Sequence, residues 1–176
     1  MTPPPAALEE LGAALEPLRA AAGAPRWTAP ERWHLTLLFL GTVPSDRVPP
    51  LVDALARAVA GTPPLTLRLA GGGRFGSRRR PSVAWAGIDG DLEPLTELAG
   101  RLARAARSLR LPVEDRPFRA HLTLGRWRPG DAADGDLMDR LAGYRGPQWP
   151  VREVELLQSH LGPKPHYDAV ATWPVG

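Results

Sequence analysis

Apolar residues recur at helical spacing over residues 6–22, where Leu8, Leu11, Leu15 and Leu18 fall on one face and Gly23 follows as a C-cap. Residues 34–40 are dense in Leu, Thr and Phe, stop at Gly41, and predict a buried strand. Ser45 is placed to cap a helix over 47–60, closed by Gly61-Thr62-Pro63-Pro64. Residues 65–69 alternate as a strand and run into a turn at Gly71-Gly72-Gly73, and a second strand follows a basic loop over 82–88. A long amphipathic helix is expected over 91–109, carried by Leu92, Leu95, Leu98, Leu102 and Leu109. Strands near 121–127, 151–159 and 167–173 and a short helix near 136–143 complete the pattern.

One tetrapeptide occurs twice. His34-Leu35-Thr36-Leu37 recurs as His121-Leu122-Thr123-Leu124, and each copy follows a helix by about a dozen residues. Two similar α/β halves facing each other across a cleft, each with one His-x-Thr strand, account for the repeat. In a strand, residues i and i+2 share a face, so each copy presents an imidazole and a hydroxyl together. Two such faces suit a phosphodiester. One neutral imidazole can deprotonate water, one imidazolium can protonate the departing oxygen, and the hydroxyls can hold the non-bridging oxygens. A histidine pKa near 6.5 lets both protonation states coexist around neutrality.

Length and composition change this picture little. The 176 residues are 43% hydrophobic, enough for one core, and no Pro-rich stretch is long enough to separate independent domains. There are no cysteines, which excludes disulfides and thiolate metal sites and fits a cytoplasmic location. No apolar run approaches a membrane span, and the N-terminus lacks the features of a signal peptide. Net charge is +3 with 22 Lys and Arg, of which Lys164 is the sole lysine, and arginine's planar fork suits phosphate. Arg78-Arg79-Arg80 reads either as a basic lip for a phosphodiester backbone or as a solvated loop. The row Arg101, Arg104, Arg107 reads as a solvated helix face, and the six tryptophans as core. His160 and His166 lack the spacing of a helical or strand pair, so no metal site and no cofactor are expected.

The repeated motif resembles the H-x-T/S-apolar signature of the 2H phosphoesterases. Its wider contexts run Trp33-His34-Leu35-Thr36-Leu37-Leu38-Phe39-Leu40-Gly41 and Arg116-Pro117-Phe118-Arg119-Ala120-His121-Leu122-Thr123-Leu124-Gly125-Arg126. With Ser159-His160-Leu161-Gly162 near the end, they are similar to the RNA 2′,3′-cyclic phosphodiesterases, also called 2′-5′ RNA ligases. The resemblance implies an α+β, bilobal fold over residues 1–176, with two pseudo-symmetric halves, antiparallel sheets facing a cleft, and helices outside. It implies metal-independent opening of an RNA 2′,3′-cyclic phosphate end to a 2′-phosphate, with reverse 2′-5′ ligation open to the same groups. His34 and His121 would be the catalytic pair, His34 as acid and His121 as base, with Thr36, Thr123 and Arg126 on phosphate. Phe39 and Phe75 would flank the nucleobase.

Strict alternation resists two of these assignments. An offset of five sends Phe39 and Arg126 to the face opposite the histidines unless a bulge intervenes. The first strand usual in such proteins, before the Pro-Pro that opens the first helix, is absent from the sequence. The expected substrate is an RNA end, with small cyclic nucleotides as an alternative, handled by a monomer without a membrane. A non-catalytic module that binds nucleotides or RNA ends is the other alternative, although pure binding does not need an acid–base pair.

Overall fold

A computed structural model describes residues 1–160, 162 and 165–176. Helix α1 (Pro5–Arg19) opens with proline at its first position, where the missing N–H costs nothing, and buries Ala7, Leu11, Leu15 and Leu18. It ends before Gly23, which closes the following turn at φ 74° rather than capping the helix. That glycine's carbonyl accepts hydrogen bonds from the Trp127 indole at 2.7 Å and the Asp134 amide at 2.9 Å. A short strand β1 (Arg26–Trp27) and a 3₁₀ turn (Pro30–Arg32) lead to the first His-x-Thr motif.

Helix α2 (Val48–Val59) follows a 3₁₀ turn at Ser45–Arg47, and no side chain caps it, so the expected Ser45 cap is not made. Strands β2 (Thr66–Ser77) and β3 (Arg80–Gly90) form a long hairpin that turns at Arg78 and Arg79. The glycine run 71–73 therefore lies inside β2 and is not a turn. The register slips between Leu69 and Gly72, and Gly71 sits there at φ 66°, donating its N–H to the Tyr144 carbonyl at 2.8 Å. A bulge with glycine in the left-handed region bends a strand without ending it.

Helix α3 (Leu92–Ser108), strand β4 (His121–Arg126), a 3₁₀ turn (Leu137–Leu141) and strands β5 (Arg145–Pro150), β6 (Glu153–His160) and β7 (His166–Pro174) complete the described chain. The main sheet has the order β1-β4-β3-β2-β5, and every pairing within it is antiparallel. Strands β6 and β7 form a separate two-stranded sheet. The fold is α+β, as expected, but its two halves are unequal.

The inequality comes from the first motif. Residues 34–40 do not form the expected strand: only Leu35 makes a ladder contact, an isolated antiparallel bridge to Leu122. On its other side Leu35 exchanges hydrogen bonds with Met1, its N–H donating to the Met1 carbonyl at 2.9 Å and the terminal ammonium donating back at 3.3 Å. A ladder one residue long on each side cannot hold the residues beyond it extended. Leu35 and Leu122, with Trp33, Leu67, Leu69, Leu95 and Leu98, are buried in one core.

Arg101 departs from a purely solvated helix face. Its guanidinium donates to the Ala58 carbonyl at 2.9 Å and to the Thr62 hydroxyl at 2.6 Å. It thereby ties α3 to the end of α2, where carbonyls lack partners within the helix.

Candidate active site

Antiparallel bridging of Leu35 to Leu122 sets the register of the two motifs. One step either side, His34 lies opposite Thr123 and Thr36 opposite His121. The histidines are diagonal neighbours, which places their backbones about 7–8 Å apart, room for one phosphate between two rings. Both leucines point into the core, 2% and 0% exposed, so alternation turns both histidines and both threonines toward solvent on one face.

The two imidazoles are held alike. His34 Nδ1 lies 2.9 Å from the Arg32 carbonyl, and His121 Nδ1 lies 2.7 Å from the Arg119 carbonyl, each two residues back along the chain. A carbonyl only accepts, so each Nδ1 carries the proton and donates it. That leaves Nε2 on both rings as the atom that takes or gives a proton. An aromatic edge supports each ring: Tyr167 meets His34 at 4.9 Å between centroids and 76°, and Phe75 meets His121 at 4.8 Å and 85°.

Burial holds both histidines below the ordinary imidazole pKa. For His34 the Arg32 carbonyl opposes that shift, the terminal ammonium adds to it, and Glu155 opposes it. For His121 the Arg119 carbonyl opposes it, while the charges of Arg119 and Arg126 both add. The charges acting on His34 are thus mixed, with Glu155 partly offsetting the terminal ammonium, whereas both charges acting on His121 are cationic.

Arg126 reaches the motif face through a bulge. The β3–β4 register passes from Trp85 opposite Thr123 to Ala84 opposite Gly125, leaving Leu124 as an extra residue. Leu124 and Gly125 are consecutively buried and Arg126 is exposed, which restores Arg126 to the side of His121 and Thr123.

Phe75 also packs on Trp85 at 5.8 Å, and Arg119 lies over both rings, 5.3 Å from the Phe75 centroid and 6.0 Å from that of Trp85. Gly73 makes room for this stack, because a Cβ there would collide with the Trp85 ring. Phe39 is 72% exposed, and the ring against His34 is Tyr167 instead. Sequence reasoning missed Tyr167 and Arg119: one is 133 residues from His34 (34 to 167), and the other is one of many arginines.

Two of the four arginines along the hairpin tip are neutralised. Arg74 pairs with Asp139 at 3.1 Å and Arg78 with Asp136, whose carboxyl is held below its usual range chiefly by that hydrogen bond. Arg79 and Arg80 are exposed at the turn. Trp33 and Trp127, beside the two motifs, are core residues, 1% and 5% exposed.

The family pattern described as LigT like Phosphoesterase matches residues 1–85 and 88–167. This chain belongs to the LigT-like phosphoesterases. Among curated LigT-like relatives, the RNA 2′,3′-cyclic phosphodiesterase of Geobacillus stearothermophilus is 33% identical over 149 residues, 85% of this chain. The match spans about half of that relative, 47% of its length. The RNA 2′,3′-cyclic phosphodiesterase of Archaeoglobus fulgidus is 31% identical over 135 residues, 77% of this chain and 74% of that protein. Solved LigT-like folds agree over nearly the whole chain. TT0787 of Thermus thermophilus superposes with a TM-score of 0.75 at 30% identity, covering 97% of this chain and 90% of that one. E. coli LigT complexed with 3′-AMP superposes with a TM-score of 0.78 at 25% identity, covering 99% and 94%. No helix among the described residues of this LigT-like chain is long and apolar enough to cross a membrane.

Proposed function

We propose that this phosphoesterase hydrolyses RNA 2′,3′-cyclic phosphate ends to 2′-phosphates through His34 and His121. The observation that carries the proposal is the matched pair of Nδ1–carbonyl hydrogen bonds, which leaves two Nε2 atoms for one phosphate. The names of the curated relatives support the substrate class.

His121, on which both neighbouring charges are cationic, is the base, and His34, where Glu155 partly offsets the terminal ammonium, is the acid. Nε2 of His121 takes a proton from water as the water oxygen bonds to phosphorus. The bond from phosphorus to the ribose 3′ oxygen breaks, and that oxygen takes the proton from Nε2 of His34. Thr36, Thr123 and Arg126 bind the non-bridging oxygens, where negative charge grows. With a 5′-hydroxyl in place of water, the same transfers serve 2′-5′ ligation: His121 takes the hydroxyl proton as its oxygen bonds to phosphorus, and His34 protonates the departing 3′ oxygen. Phe75, under Arg119, and Tyr167 wall the site, and Phe75 and the exposed Phe39 flank the nucleobase. Residues 1–176 act as one bilobal, monomeric domain in the cytoplasm, without a cofactor.

The test is incubation in EDTA of an oligoribonucleotide ending in a 2′,3′-cyclic phosphate with wild type, His34→Ala and His121→Ala. Turnover to a 2′-phosphate, lost by about 10²–10⁴-fold in each variant, is the expected result. A folded wild type that binds the RNA end without turning it over would instead identify a binding module. Faster turnover of free 2′,3′-cyclic mononucleotides would identify a small cyclic nucleotide as the substrate.

A further inference from the structure

The β6–β7 hairpin carries a cluster that the acid–base pair does not use. His160 and His166 are partners in the antiparallel register, and Asp168 lies two residues along β7 from His166. Cross-strand partners share a face, as do i and i+2, so all three side chains leave the hairpin on the same side. The six-residue gap that defeats any single helical or strand period is closed by the hairpin itself.

The ligand atoms of the three residues lie within 4.8 Å of one another. The imidazole rings are parallel within 8°, with centroids 4.5 Å apart. His160 Nε2 is 3.0 Å from an Asp168 carboxylate oxygen, yet it is buried without a hydrogen bond of good geometry among the described residues. A ring nitrogen withdrawn from water, 3.0 Å from a carboxylate oxygen it does not hydrogen-bond and beside a second imidazole, is an arrangement that a cation can complete.

The geometry points to a transition-metal site formed by His160, His166 and Asp168. Two imidazoles and one carboxylate suit Zn²⁺ or Co²⁺ rather than Mg²⁺ or Ca²⁺, which take oxygen ligands. Tetrahedral ligands at about 2.0–2.1 Å from zinc lie roughly 3.3 Å apart. His166 and Asp168 are exposed and can close that difference by rotating their side chains. Three protein ligands leave a fourth position for water.

Occupancy joins the end of β6 to the start of β7. Tyr167, between two of the ligands, alternates to the other face, where its ring meets His34. The metal is therefore a clasp behind that wall of the cleft and touches no reacting atom. The site does not depend on the proposed hydrolysis, because its occupancy is read without substrate.

The full chain, stripped with chelator and dialysed, would be titrated with Co²⁺ by visible absorption and with Zn²⁺ by calorimetry, each without RNA. The expected result is one saturable equivalent, a higher melting temperature in Zn²⁺, and no displacement by excess Mg²⁺. His166→Ala and Asp168→Asn, both at exposed positions, should weaken binding by about tenfold or more. The His34→Ala/His121→Ala double variant should bind as wild type does. Absence of saturable binding, unchanged binding in both hairpin variants, or loss in the double variant would each overturn the site. The last outcome would place the metal between the paired histidines instead.

Discussion

Leu35 meets Leu122 in a single antiparallel bridge, and that pair places His34 beside Thr123 and Thr36 beside His121. The chain runs beside β4 at Arg26 and Trp27, leaves through the 3₁₀ turn, and returns for this one contact. The placement of His34 therefore depends on two buried leucines rather than on an extended ladder.

Leu122→Ala would remove a fully buried side chain and should cost about 2–5 kcal/mol of stability. Chemical denaturation would measure it. Because the same leucine sets the spacing of the two motifs, turnover by the fraction that remains folded should fall as well. A stability loss with unchanged turnover would show that the bridge does not position His34.

The pH profile of hydrolysis follows from the depressed pKa of both histidines. In the free enzyme, kcat/KM needs His121 neutral and His34 protonated, so its bell should be centred below the ordinary histidine value of about 6.5. A bound phosphate anion favours protonation, and the bell for kcat should move to higher pH. A kcat/KM optimum above neutrality would contradict this ordering.

Stability should depend on the same shifts. Burial disfavours the imidazolium, so the unfolded chain binds more protons than the folded one as pH falls. Stability contributed in this way is fully present above the unfolded value of about 6.5 and is lost as pH drops toward the lower folded values. Melts between pH 7.5 and about 5, above the range where carboxylates titrate, should show falling stability in wild type. His121→Ala should show a shallower fall, and an equal slope in both would be inconsistent with a depressed His121.

Tyr167 supports the His34 ring by its edge, a contact a phenyl group can also make. Tyr167→Phe should retain turnover within about threefold, whereas Tyr167→Ala should lower kcat/KM by roughly tenfold, the equivalent of about 1.4 kcal/mol. Steady-state kinetics on one cyclic-phosphate oligonucleotide would compare them. Equal loss in both variants would assign the effect to the hydroxyl instead of the ring.

Much of this protein is determined by its sequence alone, because the determinants are local. Helical spacing marks α1, α2 and α3 to within a few residues, since an amphipathic face must meet a core whatever lies across from it. The repeated His-x-Thr points to a two-histidine site because i and i+2 share a face in any extended segment.

What depended on contacts between distant segments was not legible. The glycine run at 71–73 read as a turn, but pairing with β3 and β5 carries the strand through it as a bulge. Alternation put Arg126 on the wrong face until the register with β3 supplied an extra residue at Leu124. Tyr167 reaches His34, and His160 reaches His166, only because β6 and β7 fold back on each other. Backbone period is a property of neighbours along the chain, whereas register, bulges and cross-strand partners are set by which segments share a core.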